Sequence, residues 1–265
     1  MKQPFPMLVR AAVATALTLA AGGAAAASCG AQSPAHRIAM LELYTSEGCS
    51  SCPPADRWVS ELPAAGFTTD QVVPLAFHVD YWNYLGWPDR FAQPVFTERQ
   101  RLISASNGIS FVYTPELVLN GKVFRGLSHR RLRDALKEMN AQPPGAELAI
   151  RATPAAGSVA VQVDAKLRDG ARAGDAEIFL ALTENGLATE VKRGENAGRS
   201  LRHDFVVRAW RGPHRFGDGP SATIREEIPT AELAGHAGAN LVALVQNRRT
   251  GEVLQSLALP LCPPS

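Results

Sequence analysis

The stretch that most limits the fold is Leu41-Glu42-Leu43-Tyr44-Thr45-Ser46-Glu47-Gly48-Cys49-Ser50-Ser51-Cys52-Pro53-Pro54. An apolar run enters a short polar loop, and two cysteines follow, two residues apart, where a helix would begin. The first turn of a helix carries backbone N–H groups without partners and the positive end of the helix dipole. Both favour a thiolate over a thiol, and the thiolate is the species that attacks disulfides. Pro53 and Pro54 fit the same reading, because the first helical turn has no N–H bond to lose.

The residues around this stretch read as alternating strands and helices. Residues 38–44 form a strand that is apolar apart from Glu42, and a lone acid there ordinarily marks an edge or a surface. Residues 55–62 have helical spacing, with Trp58 and Leu62 on one face and Pro63 and Gly66 as the stop. Residues 72–79 form a strand apolar nearly throughout, as a strand covered on both faces should be. It runs into an aromatic loop beginning His78-Val79-Asp80-Tyr81-Trp82, whose aromatics read first as packing and second as ligand contacts. A helix is expected over 93–106. Asn120-Gly121 between apolar runs marks a two-residue hairpin, and Thr114-Pro115 stands directly before its first strand. Ser128 caps a last helix over 128–139, with Leu132, Ala135, Leu136 and Met139 inward.

The chain of 265 residues carries a formal net charge of +2, with 46% hydrophobic and 20% charged residues. That balance suits a globular chain of roughly two domains, and no basic run points to nucleic acid. Residues 1–27 differ: Lys2 and Arg10, an uncharged run over 11–21 and Ala25-Ala26-Ala27 make the pattern of a signal peptide. No later segment has the ~20 apolar residues of a membrane span. The expected location is therefore periplasmic or secreted, where cysteines persist as disulfides. Four cysteines allow three pairings. Close spacing favours Cys49 with Cys52, which leaves Cys29 with Cys262 as a staple between the two ends. Alternatively Cys29 carries a lipid anchor, since Ala26-Ala27-Ser28-Cys29 faintly resembles a lipoprotein signal without its usual leucine.

Pro143-Pro144-Gly145 reads as a linker. Beyond it, strands are expected at 147–152, 158–167, 177–183, 202–210, 223–228, 240–247 and 253–259, several alternating apolar and polar residues, the signature of a β-sandwich. The polar loop Lys192-Arg193-Gly194-Glu195-Asn196-Ala197-Gly198-Arg199 is either a solvated hairpin or a cover reaching the cysteines.

Taken together, Glu42-Leu43-Tyr44-Thr45-Ser46-Glu47-Gly48-Cys49-Ser50-Ser51-Cys52-Pro53-Pro54-Ala55-Asp56, then His78-Val79-Asp80-Tyr81-Trp82, then Tyr113-Thr114-Pro115-Glu116, resemble an uncharacterised family of exported bacterial proteins with a thioredoxin-like fold. The resemblance runs from about residue 38 to the C-terminus. It implies a fold class of α/β thioredoxin-like, with the glutaredoxin-type minimal core at 38–142, followed by an all-β sandwich domain at 146–262. It implies Cys49 and Cys52 as the redox pair and Pro115 as a cis-proline beside them, with Thr114 holding the partner strand. Glu42 stands about where thioredoxins bury a proton-relaying acid. Ser50-Ser51 departs from the dipeptides of better-known relatives, so redox direction does not carry over. The expected function is an exported thiol–disulfide oxidoreductase, with protein thiols or disulfides as partners and no cofactor. One alternative is copper handling through Cys49, Cys52 and His78. Another is a partner-binding module whose thiols are not catalytic.

Overall fold

Apolar runs too hydrophobic for any surface pair at the centre of the molecule. The computed structural model describes residues 1, 28–168, 170–230, 233 and 238–262, and the expected signal peptide falls at residues 2–27, outside them. A first strand, β1 (Cys29–Gln32), precedes β2 (Ala39–Thr45), helix α1 (Pro53–Ser60) and β3 (Val72–His78). Strands β2 and β3 pair in parallel and every residue of both is buried, which explains why both are apolar nearly throughout, Glu42, Thr45 and His78 excepted. Helix α2 (Pro94–Ser106), the hairpin β4 (Glu116–Leu119) and β5 (Lys122–Phe124), and helix α3 (His129–Asn140) follow. The hairpin turns through Asn120 and Gly121, both at positive φ (51° and 83°), as a two-residue turn requires.

The second half is strand upon strand: β6 (Ala146–Ala155), β7 (Ser158–Leu167), β8 (Ala176–Glu184), β9 (Leu187–Glu190), β10 (Ser200–His203), β11 (Val206–Arg215), β12 (Ser221–Pro229), β13 (Ala239–Asn247) and β14 (Val253–Pro260). The sheets are β14-β13-β8-β11-β3-β2-β4-β5, β1-β6-β7-β12 and the pair β10-β9.

This arrangement corrects the expected fold class. Among the described residues three α-helices stand against fourteen strands, so the chain is not an α/β thioredoxin-like core trailed by a separate sandwich. Strands from both sides of residues 143–145 build one eight-stranded sheet, joined where β11 lies parallel to β3 with Val206 opposite Ala76. The four-stranded sheet packs against the β8, β13 and β14 end of it, through Ile150, Val161, Ile178, Leu180 and Leu241, with Ala209 of β11 at the margin. On that same face, at the other end, α1 and α3 cover Leu41, Leu43 and Leu117. The opposite face is spanned by α2, with Phe96 and Ile103 against Tyr44, Phe77, Phe179 and Leu244. Phe179 and Ile178, neighbours in β8, point to opposite faces because strand side chains alternate. Cys29 and Cys262 are joined by a disulfide, Cα atoms 6.0 Å apart, fastening β1 to the segment after β14.

Candidate functional site

Strand β2 ends at Thr45, and the chain turns tightly before α1. Cys49 N–H donates to the Ser46 carbonyl at 3.1 Å and Cys52 N–H to the Cys49 carbonyl at 3.2 Å. Cys52 is the N-cap of α1, with no side-chain cap, and Pro53 and Pro54 occupy the first helical positions. Cys49 and Cys52 form a disulfide, Cα atoms 5.4 Å apart. Ser51 Oγ lies 3.3 Å from Cys49 Sγ and donates at 3.5 Å to the Thr114 carbonyl, next to the cis Thr114–Pro115 bond. Residues far apart in sequence are thus brought to one point.

Cys49 and Cys52 are both 0% exposed, although Ser50 and Ser51 lie at the surface. The cover is the loop between β9 and β10. Asn196, itself 0% exposed, donates through Nδ2 to the Glu47 carbonyl and to the Cys49 carbonyl, each at 2.9 Å. Ser50 N–H donates to Glu195 Oε2 at 3.1 Å, and the hydrogen bonds from Ser50 hold that carboxyl below its usual range. Gly194, at φ +79°, lets the loop lie on Trp87: a Cβ at this glycine would sit 3.2 Å from the Trp87 Cβ. The loop is docked on the cysteine loop through Glu195 and the buried Asn196, while residues 192–195 and 197–199 stay exposed to solvent.

Behind the disulfide lies a buried cluster of acids and histidines. His78 Nδ1 is 2.7 Å from Asp89 Oδ2, and Asp89 also accepts from the N–H groups of Glu47 (2.8 Å) and Phe91 (2.9 Å). Burial works against a charged His78, but the Asp89 carboxylate outweighs it and holds the imidazole above its ordinary value. Burial likewise opposes ionisation of Asp89, yet His78 and the backbone donors hold it below the usual carboxylate range. Trp87 Nε1 donates to Glu47 Oε2 at 2.8 Å, and Glu47 Oε1 faces His203 Nε2 at 3.5 Å. The ring centroids of His203 and His78 are 4.9 Å apart, edge to face. Asp56, in the first turn of α1, is buried toward both histidines.

Glu42 is elsewhere. It is 0% exposed, and its Oε2 accepts from Arg99 Nε and from the Tyr44 hydroxyl, both at 2.7 Å. The expected proton relay through Glu42 is corrected by strand alternation: Glu42 points to the α2 face, whereas α1 packs on Leu41 and Leu43. The metal alternative meets a similar difficulty. Cys49 and Cys52 are joined, His78 is engaged with Asp89, and among the described residues no group of three His, Cys, Asp or Glu is placed to hold a metal ion. The sequence reading missed Glu47, Asp56, Asp89 and His203, and named Asn196 only as part of a loop with two open readings. Asp56 alone had a signal available, its spacing of four from Cys52.

Fold and site define a β-rich protein in which a disulfide at a strand–helix junction is roofed by a loop from the second half of the chain. The chain belongs to the family described as Protein of unknown function (DUF1223), which matches residues 40–246. Among solved structures it is similar to protein AGR_C_4864 from Agrobacterium tumefaciens, with 27% identity, a TM-score of 0.62, and 86% of this chain and 97% of that one covered. It also shares its fold with HBP35 of Porphyromonas gingivalis, with 14% identity, a TM-score of 0.66, and 85% and 76% covered. No curated protein matches. Among the described residues no helix is long and apolar enough to cross a membrane.

Proposed function

We propose that the chain is an exported thiol–disulfide oxidoreductase acting through Cys49 and Cys52. The observation that carries this reading is the closed pair at the start of α1, beside Thr114. A thiolate formed there meets the positive end of the helix, which favours it. The partner is a protein dithiol. One partner thiolate attacks Cys49 Sγ, the Cys49–Cys52 bond breaks, and Cys52 leaves with the electron pair and takes up a proton. The second partner thiolate then attacks the partner sulfur of the mixed disulfide, and Cys49 leaves as thiolate. The partner loses two electrons and the protein gains them; the reverse order reduces a partner disulfide. Thr114 and Pro115 hold the partner segment alongside.

In this reading residues 38–142 carry the chemistry, and residues 146–262 control access through Glu195 and Asn196. Two disulfides suit the oxidising compartment that export would supply. The test is turnover of an artificial disulfide by reduced protein. Cys49→Ser abolishes it, and a Cys49→Ser variant with full dithiol turnover refutes the assignment.

A further inference from the structure

The backbone donors of the cysteine loop are answered in two ways. Gly48 N–H donates to Ser46 Oγ at 3.1 Å, Cys49 N–H to the Ser46 carbonyl and Cys52 N–H to the Cys49 carbonyl, all within the loop itself. The Ser50 N–H, on the peptide that follows Cys49, instead meets Glu195 Oε2 at 3.1 Å, across 145 residues of sequence. That carboxylate is held in place from both sides. Gly194 before it lies on Trp87, and Asn196 after it is wholly buried and bonded to the Glu47 and Cys49 carbonyls. Its charge is not neutralised either. Lys192, Arg193 and Arg199 stand in the same loop, yet among the described residues none of them forms an ion pair with it, and hydrogen bonds from Ser50 favour its charged form. A helix start ordinarily favours a thiolate through such N–H groups. Here a full negative charge already occupies one of them, and the hydroxyl left beside Cys49 Sγ is that of Ser51, at 3.3 Å.

We propose that Glu195 opposes negative charge on Cys49, and thereby stabilises the disulfide against the reduced form and biases the pair toward donating electrons. The inference rests on the dithiol reading above, and Glu195 acts through Cys49 rather than on the partner. Reduction of Cys49–Cys52 by two glutathione thiols breaks one S–S bond in the protein and forms one in glutathione disulfide. The two protein sulfurs gain two electrons and two protons. Where Cys49 then loses its proton to solvent, its thiolate stands beside the Glu195 carboxylate, and like charges so placed disfavour each other. The disulfide carries no charge and meets no such opposition. The reduced form is therefore the less favoured, and the reduction potential falls. Glu195 is exposed, so water screens the repulsion and its scale is that of a surface pair. By reciprocity the covering loop lies more firmly on the disulfide than on the thiolate.

The experiment equilibrates wild-type protein and Glu195→Gln in the same glutathione buffers and reads the oxidised fraction of Cys49–Cys52 by alkylation and mass spectrometry. An equilibrium ratio does not depend on how often the covering loop opens. Glutamine keeps the shape and still accepts from Ser50 N–H, so the charge alone is lost. At pH about 9, above the ordinary thiol value of about 8.5, the ratio of reduced to oxidised protein should be about threefold higher in Glu195→Gln. The difference should shrink at about 1 M salt, where screening acts within about 3 Å. It should also shrink as pH falls through the range in which wild-type Cys49 takes up its proton, followed by the ultraviolet absorbance of the thiolate. Equal ratios at every pH overturn the inference and leave the oxidoreductase reading standing. A difference indifferent to both salt and pH assigns the effect to packing rather than charge, and overturns the inference as well. A wild-type pair that never exchanges with glutathione removes that reading and this inference together.

Discussion

Asn196→Ala removes both hydrogen bonds by which the β9–β10 loop grips the backbone of the cysteine loop. Each bond contributes about 1 kcal/mol net, so the closed state loses about 2 kcal/mol. Since about 1.4 kcal/mol is a factor of ten in an equilibrium constant, the open population rises about 30-fold. Both sulfurs are shielded when the loop is down, so a small reductant reaches Cys49–Cys52 only from the open state. The reduction rate then follows the open population when closing is fast. The assay is native-state reduction by dithiothreitol, with alkylation and mass spectrometry at each time point. Cys29–Cys262, remote from the loop, serves as the internal reference. The expected result is reduction of Cys49–Cys52 about 30-fold faster, with the reference bond unchanged. An unchanged rate would show that Asn196 does not hold the cover. Equal acceleration of both bonds would assign the effect to global unfolding and refute the local account.

Two further results are expected. Replacing Cys29 and Cys262 by serine opens a loop of 233 residues, for which the chain-entropy relation gives about 5 kcal/mol as an upper figure; a urea midpoint unmoved by the double substitution would contradict a stabilising staple. The buried His78–Asp89 pair should also leave a pH signature. Asp89 is held low, so its contribution is present above the ordinary carboxyl value of about 4 and is lost as pH falls through its folded value. His78 is held high, so its contribution is complete below about 6.5 and is lost as pH rises through its folded value. Stability from the pair is therefore greatest between those limits, and His78→Gln should remove the alkaline decline in urea melts, whereas an identical decline in the variant would refute the pairing.

Local rules acted within short windows. The largely apolar character of residues 39–45 and 72–78, interrupted by Glu42, determined two strands covered on both faces, whatever covers them. Asn120-Gly121 determined a hairpin, because few other pairs accept positive φ twice in succession. Pro53 and Pro54 determined a helix start just after Cys52, and spacing alone made Cys49–Cys52 the natural bridge. Tertiary structure decided everything that depends on which surfaces meet. The pairing of Val206 with Ala76, which makes one sheet of two expected domains, is set by the register of strands far apart in sequence, and no local pattern encodes it. Glu42 could be recognised as a buried acid, but its partner could not. Alternation fixes that Glu42 and Tyr44 share a face, whereas only packing settles that α2, with Arg99, lies on that face and α1 on the other. Asn196 reaches the Cys49 backbone from a polar loop whose sequence suits a solvated hairpin as well as a cover, and His203, in the strand after it, reaches Glu47. Their burial arises only when β10 is laid against α1, because the free energy of closing a buried polar site comes from partners supplied by the rest of the chain.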